Sequence, residues 1–143
     1  MKNLVFTLFM ALLVFNISAK NSKNKSKESV HKIVFQLTTN DTMAHKSLMK
    51  QLSNITSVAP TTKIEVVCHG PGLDMLVTGK TVVQEKIKQL KVIGVDFVAC
   101  EFSIKERNVP IEKIIPEAGF VKAGIIEIVT KQEQGWSYIK SGF

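Results

Sequence analysis

Cysteine is scarce in this chain: two residues, Cys68 and Cys100, in a total of 143. Two thiols cannot cross-link a disulfide-rich scaffold, and no Cys/His cluster has the spacing of a zinc finger. We therefore expect no metal site. No glycine-rich phosphate loop follows the first strand-like segment, so nothing calls for a nucleotide, and no cofactor is expected. Internal repeats and heptads are also missing, which excludes solenoids and coiled coils. Nor is there an apolar run of the roughly 20 residues that a membrane-spanning helix needs.

The longest apolar run is shorter, and it stands at the start. Lys2 is followed by Leu4 to Phe15, broken only by Thr7, and then by Ile17-Ser18-Ala19. A positive start, a short apolar stretch and a small closing residue predict a secretory signal peptide over residues 1–19, cleaved near Ala19. No cysteine lies near that point, so no lipid anchor is expected. Residues 20–30 carry Lys20, Lys23, Lys25 and Lys27 and read as a basic, flexible linker. The expected location is periplasmic or secreted, with no membrane association after cleavage.

The basic balance has the same origin. Residues 1–30 contain five lysines and one acidic residue, leaving 14 basic and 11 acidic residues for 31–143, a net of +3 against +7 for the whole chain. A domain so close to neutral gives no footing for nucleic-acid binding.

From His31 onward the chain alternates between strand and helix patterns, and residues 31–143 are long enough for one domain. Lys32–Leu37, Ile64–Cys68 and Val95–Ala99 are continuous apolar strands. Gly119–Lys122 predicts a short fourth strand, and Trp136–Ile139 a fifth, edge-type strand. Helices are predicted over 42–57, 81–93 and 124–134. Shorter turns are expected near Leu73–Val77, Ser103–Asn108 and Ile111–Ile115. Asn40 or Asp41 can cap the first helix. This β-α alternation predicts a flavodoxin-like α/β three-layer sandwich on a mainly parallel five-stranded sheet, with strand order 2-1-3-4-5.

Ligands of such sheets bind outside the carboxyl ends of the strands, where both cysteines and His69 fall. Cys100 is the first candidate for chemistry. It ends the third strand, expected to be central, just before a helix start whose free N–H groups can favour a thiolate. Lys105 and Arg107 add positive charge, and Glu101 opposes it. Burial as an ordinary core cysteine is the other reading of the same position. Cys68 is expected to finish the buried face of an edge strand.

His69-Gly70-Pro71-Gly72 is a turn that can aim an imidazole over the crevice, as acid, base or thiolate partner. A plain loop histidine fits it too. His31 and His45 read as surface residues. Trp136 and Tyr138 suit a subunit contact or sheet edge better than a cofactor. In the expected order the first strand separates the two cysteines by roughly 9–10 Å. A disulfide needs Cα atoms within about 7 Å, so no intramolecular bridge is expected.

Three segments together resemble the DsrE/DsrF-like family, which includes YchN-like proteins. They are Val67-Cys68-His69-Gly70-Pro71-Gly72-Leu73, Cys100-Glu101-Phe102-Ser103-Ile104-Lys105 and Gln132-Glu133-Gln134-Gly135-Trp136-Ser137-Tyr138-Ile139-Lys140. The resemblance spans about residues 31 to 140. It implies a flavodoxin-like fold and assembly into homo-oligomers, trimers or hexamers. Some members relay sulfur as a cysteine persulfide, and the family's cysteine maps onto Cys100. Many relatives continue Cys-x-Asn-Thr, whereas this chain has Phe102 and Ser103, losing an amide and keeping a hydroxyl. The exported, sulfur-handling reading thus has Cys100 as the persulfide carrier, with His69, Gly70, Gly72, Ser103 and Cys68 as binding or supporting residues. Its partner would be a thiol-bearing protein, and its activity that of a sulfurtransferase or sulfur carrier. The alternative is a noncatalytic oligomeric module that binds a small ligand or protein.

Overall fold

The structure, a computed structural model, describes residues 30–142. The expected signal peptide (1–19) and nearly all of the linker (20–30) lie outside the described residues. Among the described residues no helix is long and apolar enough to cross a membrane.

Five parallel strands form one sheet: β1 (Lys32–Leu37), β2 (Lys63–Cys68), β3 (Val95–Cys100), β4 (Gly119–Val121) and β5 (Ser137–Ser141). The main helices are α1 (Thr42–Val58), α2 (Gln84–Val92), α3 (Glu101–Glu106) and α4 (Gly124–Glu133), with a 3-10 helix over Gly70–Leu76. The α/β three-layer class stands as the sequence predicted. Helix starts follow local chemistry: Asp41 caps α1 by accepting from the Met43 N–H at 2.8 Å. The second main helix begins at Gln84 rather than at Thr81, after a turn in which the Val83 N–H bonds the Thr81 hydroxyl.

The strand order is corrected to β4-β3-β2-β1-β5. β2 is therefore the middle strand. Cys68 does not lie on an edge strand, and the Cys100 strand is second from one edge rather than central. The composition of β2 fits this place, since Ile64 to Cys68 are all buried. A strand covered on both faces reads as a continuous apolar run. β5 does lie at an edge, beside β1.

The two faces of the sheet are unequal. Phe35, Ile64, Val66, Phe97 and their neighbours join α1, α2 and the 3-10 helix in a cluster of twenty-one buried residues. At roughly 1.5–3 kcal/mol for each large buried side chain, this cluster supplies most of the stabilisation. The apolar cluster on the other face has only four buried residues, Val34, Val67 and Val98 of the sheet and Ile128 of α4. His45 belongs to the thicker side. It is buried on α1 and its Nε2 lies 2.8 Å from the Thr39 carbonyl, so it is not a surface residue. His31 is exposed as expected.

A buried ion pair reinforces the thin face. Lys131 of α4 reaches Glu65 of β2 at 2.7 Å and Glu127 at 3.5 Å, with the Trp136 ring centroid 4.5 Å from its ammonium. Burial raises the pKa of Glu65, and the Lys131 ammonium offsets part of that. Removing Lys131 leaves the buried Glu65 carboxylate unpaired, which costs about 3–5 kcal/mol, whereas replacing both by apolar groups costs little. Lys131→Met should lower the urea midpoint strongly, Glu65→Gln less because Glu127 still faces Lys131, and the double variant Glu65→Leu/Lys131→Met should recover most of the Lys131→Met loss.

Candidate functional site

Side chains alternate across a strand, so parity decides which groups meet at the carboxyl end of the sheet. Cys68 pairs with Ala99, and the two point into the larger core. Cys100, one residue further, points to the α4 face together with Val98 and Val67. His69 follows Cys68 in extended conformation, and its N–H continues the ladder to the Leu37 carbonyl at 3.1 Å. It is therefore the residue beside Cys100 on the neighbouring strand, roughly one strand spacing of 4.8 Å away and on the same face. The two cysteines lie on adjacent strands but on opposite faces. Both are free thiols. What separates them is the sheet itself, not an intervening β1.

Gly72 and Gly124 bring backbone close to this end. A Cβ on Gly72 would lie 2.2 Å from the Leu37 carbonyl oxygen, so only glycine lets the turn fold onto β1. A Cβ on Gly124 would lie 3.1 Å from both Val67 Cγ1 and His69 Cβ. The open space under Gly124 lets the first turn of α4 settle on the sheet, where the Gly124 N–H donates to Cys100 Sγ at 3.2 Å. Ser103 ties the His-Gly-Pro-Gly turn to the cysteine: its Oγ accepts from the Gly70 N–H at 2.8 Å. The helix start predicted near Ser103 comes earlier, at Glu101, so Cys100 itself occupies the N-cap position of α3.

These contacts divide the two thiols chemically. Burial pushes the Cys68 thiol far above its ordinary range, and no opposing contact answers it. Burial also disfavours the Cys100 thiolate. The Ser103 hydroxyl and the amides of Ser103, Gly124 and Phe102 outweigh it, and the net shift is downward. Burial lowers the pKa of His69 and so favours its neutral form. Cys100 is itself buried, 5% exposed, but it lies outside the large apolar cluster that takes in Cys68.

Of the residues expected at the site, Cys100, His69, Gly70 and Ser103 come together. Gly72 shapes the turn from below, and Cys68 faces away into the core. Lys105 and Arg107 are not at the sulfur: Arg107 pairs with Asp74 at 3.0 Å, and Glu101 is engaged by Lys122 at 2.9 Å. Among the described residues no group of three metal-ligating side chains assembles. Sequence reasoning passed over Gly124 and Gln36, whose amide nitrogen lies 2.8 Å from His69 Nε2, as site residues. Gly124 alone left a signal, a glycine at the first position of an otherwise isoleucine-rich helix.

A model of the DsrE/DsrF-like family matches residues 20–141. The chain belongs to the DsrE/DsrF-like family. Among solved structures it is similar to MTH1491 of Methanobacterium thermoautotrophicum, a protein of unknown function. That match has a TM-score of 0.73 at 24% identity and covers 77% of this chain and 98% of that one. At this identity the likeness speaks for the fold. No curated protein matches. In this DsrE/DsrF-like chain, Cys68 is fully enclosed in the larger core, and Cys100 lies outside that cluster with Gly124 against its sulfur.

Two outcomes follow from the site geometry. Iodoacetamide should label Cys100 in the native protein, with a pH midpoint below that of a free thiol, and Cys68 only after unfolding. Gly124→Ala should lift α4 from Val67 and His69, cost about 1–3 kcal/mol, and move the Cys100 alkylation midpoint upward as the Gly124 N–H is lost.

Proposed function

We propose that this DsrE/DsrF-like protein carries sulfane sulfur as a persulfide on Cys100. The observation that carries the reading is the donor set around one sulfur. The Gly124 N–H at 3.2 Å, the Ser103 hydroxyl and the amides at the start of α3 all favour an anion on Cys100. In the balanced step, the Cys100 thiolate attacks the outer sulfur of a polysulfide or low-molecular-weight persulfide. A new S–S bond forms and the old one breaks, and the donor leaves as a thiolate. A partner's thiolate then attacks the outer sulfur, takes it and restores Cys100. No net oxidant is consumed, and no metal or nucleotide enters. Ser103 holds both the turn and the sulfur, which supports its standing in place of the Asn-Thr pair of many relatives.

A second reading has its own support. A cleft of about 540 Å³ opens beside α3, lined by Phe102, Ile104, Val109 and Ile111 with Lys105 and Lys122, and neither Cys100 nor His69 lines it. A noncatalytic module would use this cleft and ask nothing of Cys100 except packing. Intact mass after polysulfide treatment separates the readings. The carrier reading expects one added sulfur on wild type and on Cys68→Ser, and none on Cys100→Ser. Equal loading of both single variants, or loading confined to Cys68, removes it and leaves the binding module.

We also propose that the chain is exported and works as a homo-oligomer, trimer or hexamer, that meets a thiol-bearing partner. The Lys2, Leu4–Phe15 and Ala19 pattern supports export to the periplasm or beyond. The outer face of α4 supports self-association, because Ile125, Ile126 and Val129 are all exposed next to the site. The mature protein should begin near Lys20 by N-terminal sequencing. In analytical ultracentrifugation, Ile126→Glu should reduce the mass of the assembly.

A further inference from the structure

A hydrogen-bonded chain runs from the edge of the sheet to His69, the residue that the strand register places beside Cys100. The Tyr138 hydroxyl on β5 donates to Gln36 Oε1 on β1. Gln36 Nε2 lies 2.8 Å from His69 Nε2. All three side chains belong to the α4 face, because Tyr138 pairs with Val34 and Gln36 with Val67. The carboxamide nitrogen of Gln36 has only protons to offer. With its oxygen occupied by Tyr138, the amide turns its N–H₂ to His69, whose Nε2 must accept. The one ring proton of the neutral imidazole is then on Nδ1.

We propose that Gln36 and Tyr138 are positioning residues that hold His69 as a hydrogen-bond donor to the sulfur chemistry of Cys100. The inference rests on the persulfide-carrier reading and names the job of its second side chain. A histidine with Nε2 occupied and Nδ1 protonated is not a base for an incoming thiol. It can give a hydrogen bond to an anion, and the anion made beside it is the outer sulfur of the Cys100 persulfide. His69 is held against the same two elements as Cys100. Its ring and Cβ abut Gly124, whose N–H binds Cys100, and its successor Gly70 is tied to Ser103. Amides at α3 and α4 surround the inner sulfur, and the outer sulfur, one bond further from the strand, is the atom left for an imidazole donor. Nothing in the fold itself requires this polarity. Gln36 and Tyr138 lie on the thin face, outside its apolar cluster.

Two measurements test it. Nitrogen-15 NMR of histidine-labelled protein reads the His69 tautomer directly, without any sulfur. Wild type should show a protonated Nδ1 and an unprotonated Nε2. Gln36→Met, which preserves the side-chain length and removes the donor, should populate the Nε2–H form. A merely structural Gln36 would alter the melting temperature and leave the tautomer alone. The second measurement is equilibrium loading of Cys100 across ratios of glutathione persulfide to glutathione, read by intact mass. A hydrogen bond to a charged acceptor corresponds to about a tenfold shift. Gln36→Met and His69→Phe should each require about tenfold more persulfide for half loading, and Tyr138→Phe about two- to threefold more. Wild-type His69 in the Nε2–H form overturns the relay. So does loading that is unchanged in all three variants. Failure of wild type to load at all overturns the carrier reading and the donor role of His69 with it, while the tautomer measurement then reports the relay by itself.

Discussion

Cys68 pairs with Ala99 across β2 and β3, and Cys100 stands one residue beyond. Because the pleat alternates, that single residue puts the two thiols on opposite faces of the sheet. One face belongs to the large core and desolvates Cys68 completely. The other is thinly covered, and α4 can present a backbone N–H to a sulfur there. His69, one residue beyond Cys68, changes face in the same way and becomes the lateral neighbour of Cys100. A one-residue slip of β2 against β3 would exchange these partners and bury the histidine.

The thin face asks for a helix that comes close yet covers little. Gly124 gives the approach, since a Cβ would already press on Val67 and His69. Val67, Val98 and Ile128 supply a modest apolar contact, and Lys131 on Glu65 fixes the far end of the helix. The two attachments are seven residues apart along α4, about two turns, so they lie on nearly the same side of the helix. The charged pair thereby holds the helix whose first N–H contacts the sulfur. The exposed isoleucines of α4 face outward from the same element, so a neighbouring subunit seated there would lie next to Cys100.

The sequence made the elements legible because their signals are local. Continuous β-branched runs marked the parallel strands, Asp41 marked the start of α1, and Gly135 marked the end of the last helix. Strand order was not legible in this way: the sequence was read as 2-1-3-4-5, and the sheet is β4-β3-β2-β1-β5. Order depends on which faces the crossovers take, and no single segment records that. The error moved Cys68 to an edge and gave the wrong reason for the absence of a bridge. At the site, Cys100 and His69 could be read from strand ends and turn chemistry, whereas Ser103 entered only with the family resemblance. Gln36 and Tyr138 could not, since their meeting with His69 needs β1 between β2 and β5. His45 was read as a surface residue, but Leu48 and Met49 follow it by one helical turn, and it lies on the side of α1 that packs inward.

The central claim is that Cys100, and not Cys68, is the sulfur-bearing atom of this DsrE/DsrF-like protein. The most direct measurement is peptide-level mass spectrometry on protein taken from its own cells, with persulfides trapped by an alkylating agent before unfolding. The account predicts a trapped persulfide on the peptide containing Cys100 and an unmodified, newly exposed thiol on the peptide containing Cys68. A persulfide found on Cys68, or on both peptides alike, would contradict it.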